Sequence, residues 1–173
     1  MSNYPKKLSN GANNTVVVLN DTEVAKIFEG DTRSDLGSEA EKMKFANTIN
    51  ELVVKFIQLD YDAEKKWDML IMERIHPMDF RSIEVEKREI IFSVFEDELK
   101  QLHQNGFAHQ DICRPSSQSG EKYDNILLTH KGLRLIDVGI SALKHQVGEK
   151  IFEKYLEIEL NEMATFKTYF LNR

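Results

Sequence analysis

Between His103 and Gly139 the chain reads HQNGFAHQDICRPSSQSGEKYDNILLTHKGLRLIDVG, and the residues able to do chemistry gather there. His109, Gln110 and Asp111 follow a helix end. Asn125 opens an apolar triplet after a polar stretch, and Asp137-Val138-Gly139 closes a second apolar run. Two carboxylates and a carboxamide thus stand beside short apolar runs. A metal site built from His103, His109 and Cys113 finds no support, because no four-ligand spacing is present.

The order His-x-Asp, then Asn with an apolar triplet, then Asp-x-Gly after a second strand resembles the catalytic region of the protein-kinase superfamily. Upstream, Leu8 to Val16 (LSNGANNTV) resembles a kinase glycine-rich loop. Leu8, Gly11 and Val16 match it, and Ser9 and Asn14 stand where outer glycines would be. Val24-Ala25-Lys26 resembles the strand that carries the nucleotide lysine. The resemblance implies ATP as the nucleotide and Mg2+ (or Mn2+) as the metal. It implies Asp111 as the residue that orients the attacking hydroxyl and accepts its proton, with Asn125 and Asp137 as metal ligands. Lys26 would hold the α- and β-phosphates, Ala25 would face the adenine, and Glu39 would pair with Lys26. Glu41 competes with Glu39 for that last role; Glu39 places Ala40 and Met43 on the inward face, whereas Glu41 would place Lys42 there. Met72 stands at the gatekeeper position, Glu73, Arg74 and Ile75 at the hinge, and Leu127 below the adenine. Arg114 would replace the lysine beside the γ-phosphate, and His109 would support the Asp-x-Gly turn.

The chain also departs from that pattern. Asn125 lies 14 residues after Asp111, where most kinases have five, and the residues between are rich in Ser and Gly. Gln110 stands where many kinases carry an arginine that docks a phosphorylated activation loop, which implies no such switch. Only 34 residues follow Gly139, with no Ala-Pro-Glu motif and no Asp to brace the catalytic loop. This layout is similar to the activation-loop-less Ser/Thr kinases that some enteric bacteria inject into host cells.

The elements that must position these residues follow from periodicity and turn chemistry. Thr15 to Phe28 reads as a hairpin turning at Asn20-Asp21. Ser38 is expected to cap a helix to about Ile49. Glu51 to Asp60 and Trp67 to Ile75 read as strands, and Pro77 ends the second. From Val85 to Asn105, Ile90, Ile91, Val94, Phe95, Leu99 and Leu102 recur at helical intervals, with Gly106 as the stop. Glu149 to Leu171 reads as one amphipathic helix with a broad apolar face. The expected fold class is therefore α+β, a bilobal protein-kinase-like fold forming one kinase-like domain. Residues 1–75 form the N-lobe, with a sheet and helix C; residues 76–173 form a truncated C-lobe.

Bulk properties narrow the partners. A formal charge of −6, with no basic stripe, argues against nucleic-acid binding. No apolar run reaches transmembrane length, and MSNYPKKLSN lacks a signal-peptide core. The single Cys113 fits a reducing compartment. The expected location is cytoplasmic, or the cytosol of a host cell after secretion. The expected partners are ATP, a protein substrate or an activating protein, and the chain is expected to be a monomer or weak homodimer. The leading function is phosphoryl transfer to a protein Ser/Thr hydroxyl. A kinase of a sugar or other small molecule and a nucleotide-binding pseudokinase are the alternatives.

Overall fold

β-branched and alternating runs build an antiparallel sheet at the N-terminal end of the computed structural model, which describes residues 6–10, 15–28, 35–113 and 122–172. Its strands are β1 (Lys6–Asn10), β2 (Thr15–Val18), β3 (Glu23–Phe28), β4 (Phe56–Asp62) and β5 (Trp67–Glu73), in the order β1-β2-β3-β5-β4. The β2–β3 turn forms where expected: the Asn20 carboxamide accepts the Thr22 amide at 2.9 Å. A bulge between Lys7 and Ser9 leaves Leu8 exposed at the sheet edge.

Helix α1 (Leu36–Asn47) packs on β4 and β5. Its cap is Asp35 rather than Ser38: the Asp35 carboxylate accepts the Gly37 and Ser38 amides at 3.0 and 3.2 Å. A carboxylate answers two orphan amides and also suits the positive end of the helix, so it outcompetes the nearby hydroxyl. The strand expected from Glu51 begins only at Phe56. Residues 51–55 instead cross to the C-terminal part, where Val54 N and Leu135 O are 2.8 Å apart, as are Leu135 N and Leu52 O. Strand β5 ends at Glu73, two residues earlier than expected.

The C-terminal part rests on two long helices, α2 (Val85–Gln104) and α4 (Glu149–Leu171). Phe92, Phe95, Leu99 and Leu102 form the buried stripe of α2 and meet Phe166 and Phe170 of α4. Ile90 and Val94, expected on that stripe, face outward, because the buried phase runs through Phe92 and Phe95. Phe166 touches Phe80, Phe92, Phe95, Tyr123, Tyr169 and Phe170, so truncating it to Ala would cost about 3–5 kcal/mol.

Helix α2 ends at Gly106, which has a φ of +89° and leaves only 3.1 Å between a would-be Cβ and the Lys144 Cβ. Two short ladders complete the frame. Strand β6 (Phe107–Ala108) pairs with β9 (Ala142–Leu143), and β7 (Ile126–Thr129) pairs with β8 (Gly132–Leu135). A four-residue helix, α3 (Lys144–Val147), leads into α4. No helix among the described residues is long and apolar enough to cross a membrane.

Candidate active site

Strand parity decides what faces the space between the sheet and the C-terminal part. Lys26 pairs with Val16 on β2 and Leu70 on β5, while Val24 pairs with Val18 and Met72. Val16, Val24, Lys26 and Met72 therefore share one face. Ala25 lies on the other face, packed with Val17, Ile27 and Ile71. The expectation that Ala25 faces the adenine is corrected. Adjacent strand residues point to opposite faces, so Val24, two residues before Lys26, takes the place given to Ala25.

The Lys26 ammonium is buried and lies 2.9 and 3.1 Å from the two Glu39 oxygens and 3.1 Å from Asp137 Oδ1. Glu39, in the first turn of α1, is thus the partner of Lys26, and Glu41 is exposed. Burial works to lower the Lys26 pKa, but Asp137 and Glu39 together outweigh it and the net shift is upward. Burial pushes the Glu39 carboxyl up against the pull of Lys26. Burial also works to raise Asp137, yet Lys26 holds that carboxylate below its ordinary range. Asp137 and Glu39 share the one ammonium and raise it; at Glu39 burial is the larger cause of the upward shift, and Asp137 moves the other way.

Asp111 lies on the loop after β6. Asn125 donates through Nδ2 to the Asp111 carbonyl at 3.0 Å and to Asp111 Oδ2 at 2.8 Å. The Asn125 amide nitrogen is thereby committed, and its Oδ1 is the atom left to meet a cation. His109 is fully buried beneath the turn. Its Nε2 lies 2.9 Å from the Ile136 carbonyl and its Nδ1 accepts the Asp111 amide at 3.2 Å. A carbonyl only accepts and an amide only donates, so the ring carries its proton on Nε2. Gln110 and Asp137 adopt left-handed backbone, with φ of 65° and 59°. Such conformations persist in non-glycine residues only where surrounding bonds hold them.

For Gln110 those bonds come from a residue outside the sequence motifs. Glu159 of α4, with no exposed surface, accepts the His109 amide at 3.2 Å and the Gln110 amide at 2.6 Å. It also takes His103 Nε2 at 2.9 Å. No Asp follows Asp137 to brace this loop; Glu159 on α4 makes the bracing bonds instead. Burial works to raise Glu159, but His103, His109 and the amides overcome it and hold the carboxylate down. The signal was in the α4 periodicity, since Glu159 falls in phase with Phe152, Met163, Phe166 and Phe170.

The antiparallel sheet, the capped helix on it, and the two-helix base with its looped acids were compared with known structures. A similar solved structure is that of the Cydia pomonella granulovirus kinase PK-1, with a TM-score of 0.57 over 80% of this chain and 18% sequence identity. The chain spans about half (51%) of that kinase. The fold is protein-kinase-like. No family model and no curated protein sequence matches the chain.

In this kinase-like fold the remaining expected residues fall as follows. Glu73 joins the sheet to β8: its carboxylate takes Arg134 Nη2 at 2.8 Å and the Lys55 amide at 3.2 Å. Burial opposes ionisation there, but Arg134 keeps the Glu73 carboxyl below its ordinary value. The Glu73 and Arg74 amides are committed to Lys55 O and Thr22 O, and no described residue accepts the Ile75 amide. Leu127 is half-buried on β7 opposite Arg134. Gly11 and Arg114 lie outside the described residues. Cys113 is not an activated thiol, since burial pushes its pKa up.

The donor chemistry fits a magnesium ion. Among the described residues no group of three or more His, Cys, Asp or Glu side chains is placed to hold a metal ion. Magnesium is commonly held by one or two protein oxygens with phosphates and water completing its shell. Asp137 and the Asn125 Oδ1 are oxygens of that kind, and the Asp137 side chain is 41% exposed.

Proposed function

We propose that the chain is a phosphotransferase that moves the γ-phosphoryl group of ATP to a protein Ser or Thr hydroxyl. The observation that carries this reading is two side-chain groups whose segments His109 ties together through the Asp111 amide and the Ile136 carbonyl. Lys26, Glu39 and Asp137 are joined at 2.9 to 3.1 Å, and Asp111 is clamped by Asn125. Nothing in phosphoryl transfer demands covalent chemistry from the protein; positioning and charge stabilisation do the work.

On this reading residues 1–75 form the nucleotide-covering part and residues 76–173 the catalytic base. Lys26 binds the α- and β-phosphates, and Glu39 holds its ammonium in place. Val16, Val24 and Met72 cover the adenine from the sheet side, Leu127 from below, and the Ile75 amide offers a donor to its edge. Asp137 and Asn125 would hold a magnesium ion, which would supply neutralising charge to the phosphates. Asp111 orients the acceptor hydroxyl and takes its proton as the new P–O bond forms and the bond to the leaving ADP breaks.

The test is transfer of radiolabel from ATP by the purified protein with Mg2+ or Mn2+, beside Asp111→Ala and Asp137→Ala. Acceptors are the protein itself, a generic basic protein and a panel of small sugars. Asp111→Ala is expected to lower transfer by roughly 10²–10⁴-fold while nucleotide affinity stays within about threefold, because Asp111 does not hold the phosphates. Label on a small molecule alone would replace the protein acceptor by a sugar-type one. A nucleotide-induced rise in melting temperature with no label anywhere would replace the enzyme by a nucleotide-binding module.

A further inference from the structure

The proposal made here rests on the phosphotransferase reading and concerns what holds its lysine–glutamate pair together. We propose that Lys42 is a positioning residue, the bolt by which the segment after Asp137 fastens α1 in the paired state. Lys42 lies three residues after Glu39, on the adjoining turn, and its Nζ donates to the Gly139 carbonyl at 2.9 Å. That carbonyl belongs to the turn that carries Asp137. The turn itself lies tight against Glu39: a Cβ on Gly139 would stand 3.6 Å from Glu39 Oε2 and 3.4 Å from Asp137 Oδ1. One hydrogen bond thus ties the helix bearing Glu39 to the turn bearing Asp137, the two acids that share Lys26.

A second contact lies farther along the same segment. Gln146 Nε2 donates to Glu41 Oε1 at 3.2 Å, His145 approaches that oxygen at 4.0 Å, and the His145 ring meets Phe45 at 5.9 Å between centroids. Glu41 and Phe45 are four residues apart and so lie on one side of α1. The segment is itself fixed to the loop of Asp111. Ala142 and Leu143 pair with Ala108 and Phe107, Ser141 Oγ donates to the His109 carbonyl at 2.9 Å, and the Lys144 amide donates to the Gly106 carbonyl at 2.8 Å. Residues 139–147 therefore bridge the catalytic loop and α1 directly. Lys42 is the bridging side chain that reaches the metal-ligand turn.

Amide hydrogen exchange of the whole chain, read on α1 and α2, tests this alongside phosphoryl transfer. Lys42→Met keeps the aliphatic stem and removes the donor. The expected result is exchange about tenfold faster in α1 with α2 unchanged, together with transfer about tenfold slower through kcat, KM for ATP moving less than threefold. A charged hydrogen bond of ordinary strength corresponds to a change of at least this size. Lys42→Arg, which restores a charged donor, is expected to recover at least half of both effects. Unchanged α1 exchange in Lys42→Met would overturn the proposal, as would a uniform rise across α1, α2 and α4, which would mark general loosening. Exchange needs no substrate. If the wild-type protein transfers no phosphate, the function fails while the α1 result still decides the role of Lys42.

Discussion

Glu39 and Glu159 are both sealed from water, at 2% and 0% exposure, and each has a basic nitrogen at 2.9 Å. Their carboxyls nevertheless shift in opposite directions, Glu39 up and Glu159 down. Glu159 receives His103 and two backbone amides and shares them with no other acid. Glu39 has one ammonium, and Asp137 draws on it too. A buried charge is tolerated when its lone pairs are answered, and Glu159 meets that condition within the chain. At Glu39 burial outweighs Lys26 and the more distant Lys42. The difference separates a carboxylate whose lone pairs are answered in full from one that shares its contacting cation with a second acid.

The comparison is most easily broken at Glu159. Glu159→Ala leaves two amides and His103 facing a cavity, and the expected loss is about 3–5 kcal/mol, a fall in melting temperature of roughly 10 °C for a chain of this size. A loss under about 1 kcal/mol in urea unfolding would show that the loop holds its own shape and that the brace is incidental. Glu39→Gln should divide the other way. Lys26 keeps Asp137, so the melting temperature is expected to stay within about 3 °C, while misplacement of the lysine lowers transfer by roughly 10²-fold. If stability falls as far as in Glu159→Ala, the two sites are alike and the distinction is lost.

A smaller effect should come from Glu162, one turn after Glu159. Burial, then the charges of Glu159 and Asp111, push its carboxyl up from 4.5 to about 7, and its Oε2 is buried without a hydrogen-bond partner. The folded chain therefore holds a proton that the unfolded chain releases near 4.5. The associated stability is fully present below about pH 4.5 and is lost as pH rises through about 7. Glu159 acts in the opposite sense: its lowered carboxyl contributes stability above the ordinary glutamate value and loses it in acid. Urea midpoints measured from pH 5 to 8 should decline for the wild type and flatten in Glu162→Gln. Parallel curves for the two proteins would remove Glu162 from the account.

Much of this was legible in the residues. The hairpin and the α2 stop at Gly106 follow from turn chemistry and helix phase; the Lys26–Glu39 pairing is implied by the kinase resemblance, with helix phase choosing Glu39 over Glu41. Other features needed the fold. Ser38 and Asp35 are both good caps by type, and only the geometry of the helix entry chooses between them. Ala25 was misassigned because motif likeness was allowed to override strand parity, a rule that needs no structure. Lys42 was judged a poor inward residue; its ammonium reaches a carbonyl that only the folded turn presents. Glu159 was hidden by its surroundings, since an acid in an apolar helix stripe has no meaning until its partners, 50 residues away in sequence, are brought to it.

The two hydrogen bonds from Asn125 Nδ2 to Asp111 also bear on how the intervening stretch can change in length. They close a loop of the backbone at its base, and closure entropy grows only with the logarithm of loop length. Lengthening the separation from five residues to 14 costs about 0.9 kcal/mol by that scaling. Each further doubling would add about 0.6 kcal/mol. The clasp makes added length between Asp111 and Asn125 a thermodynamically small change.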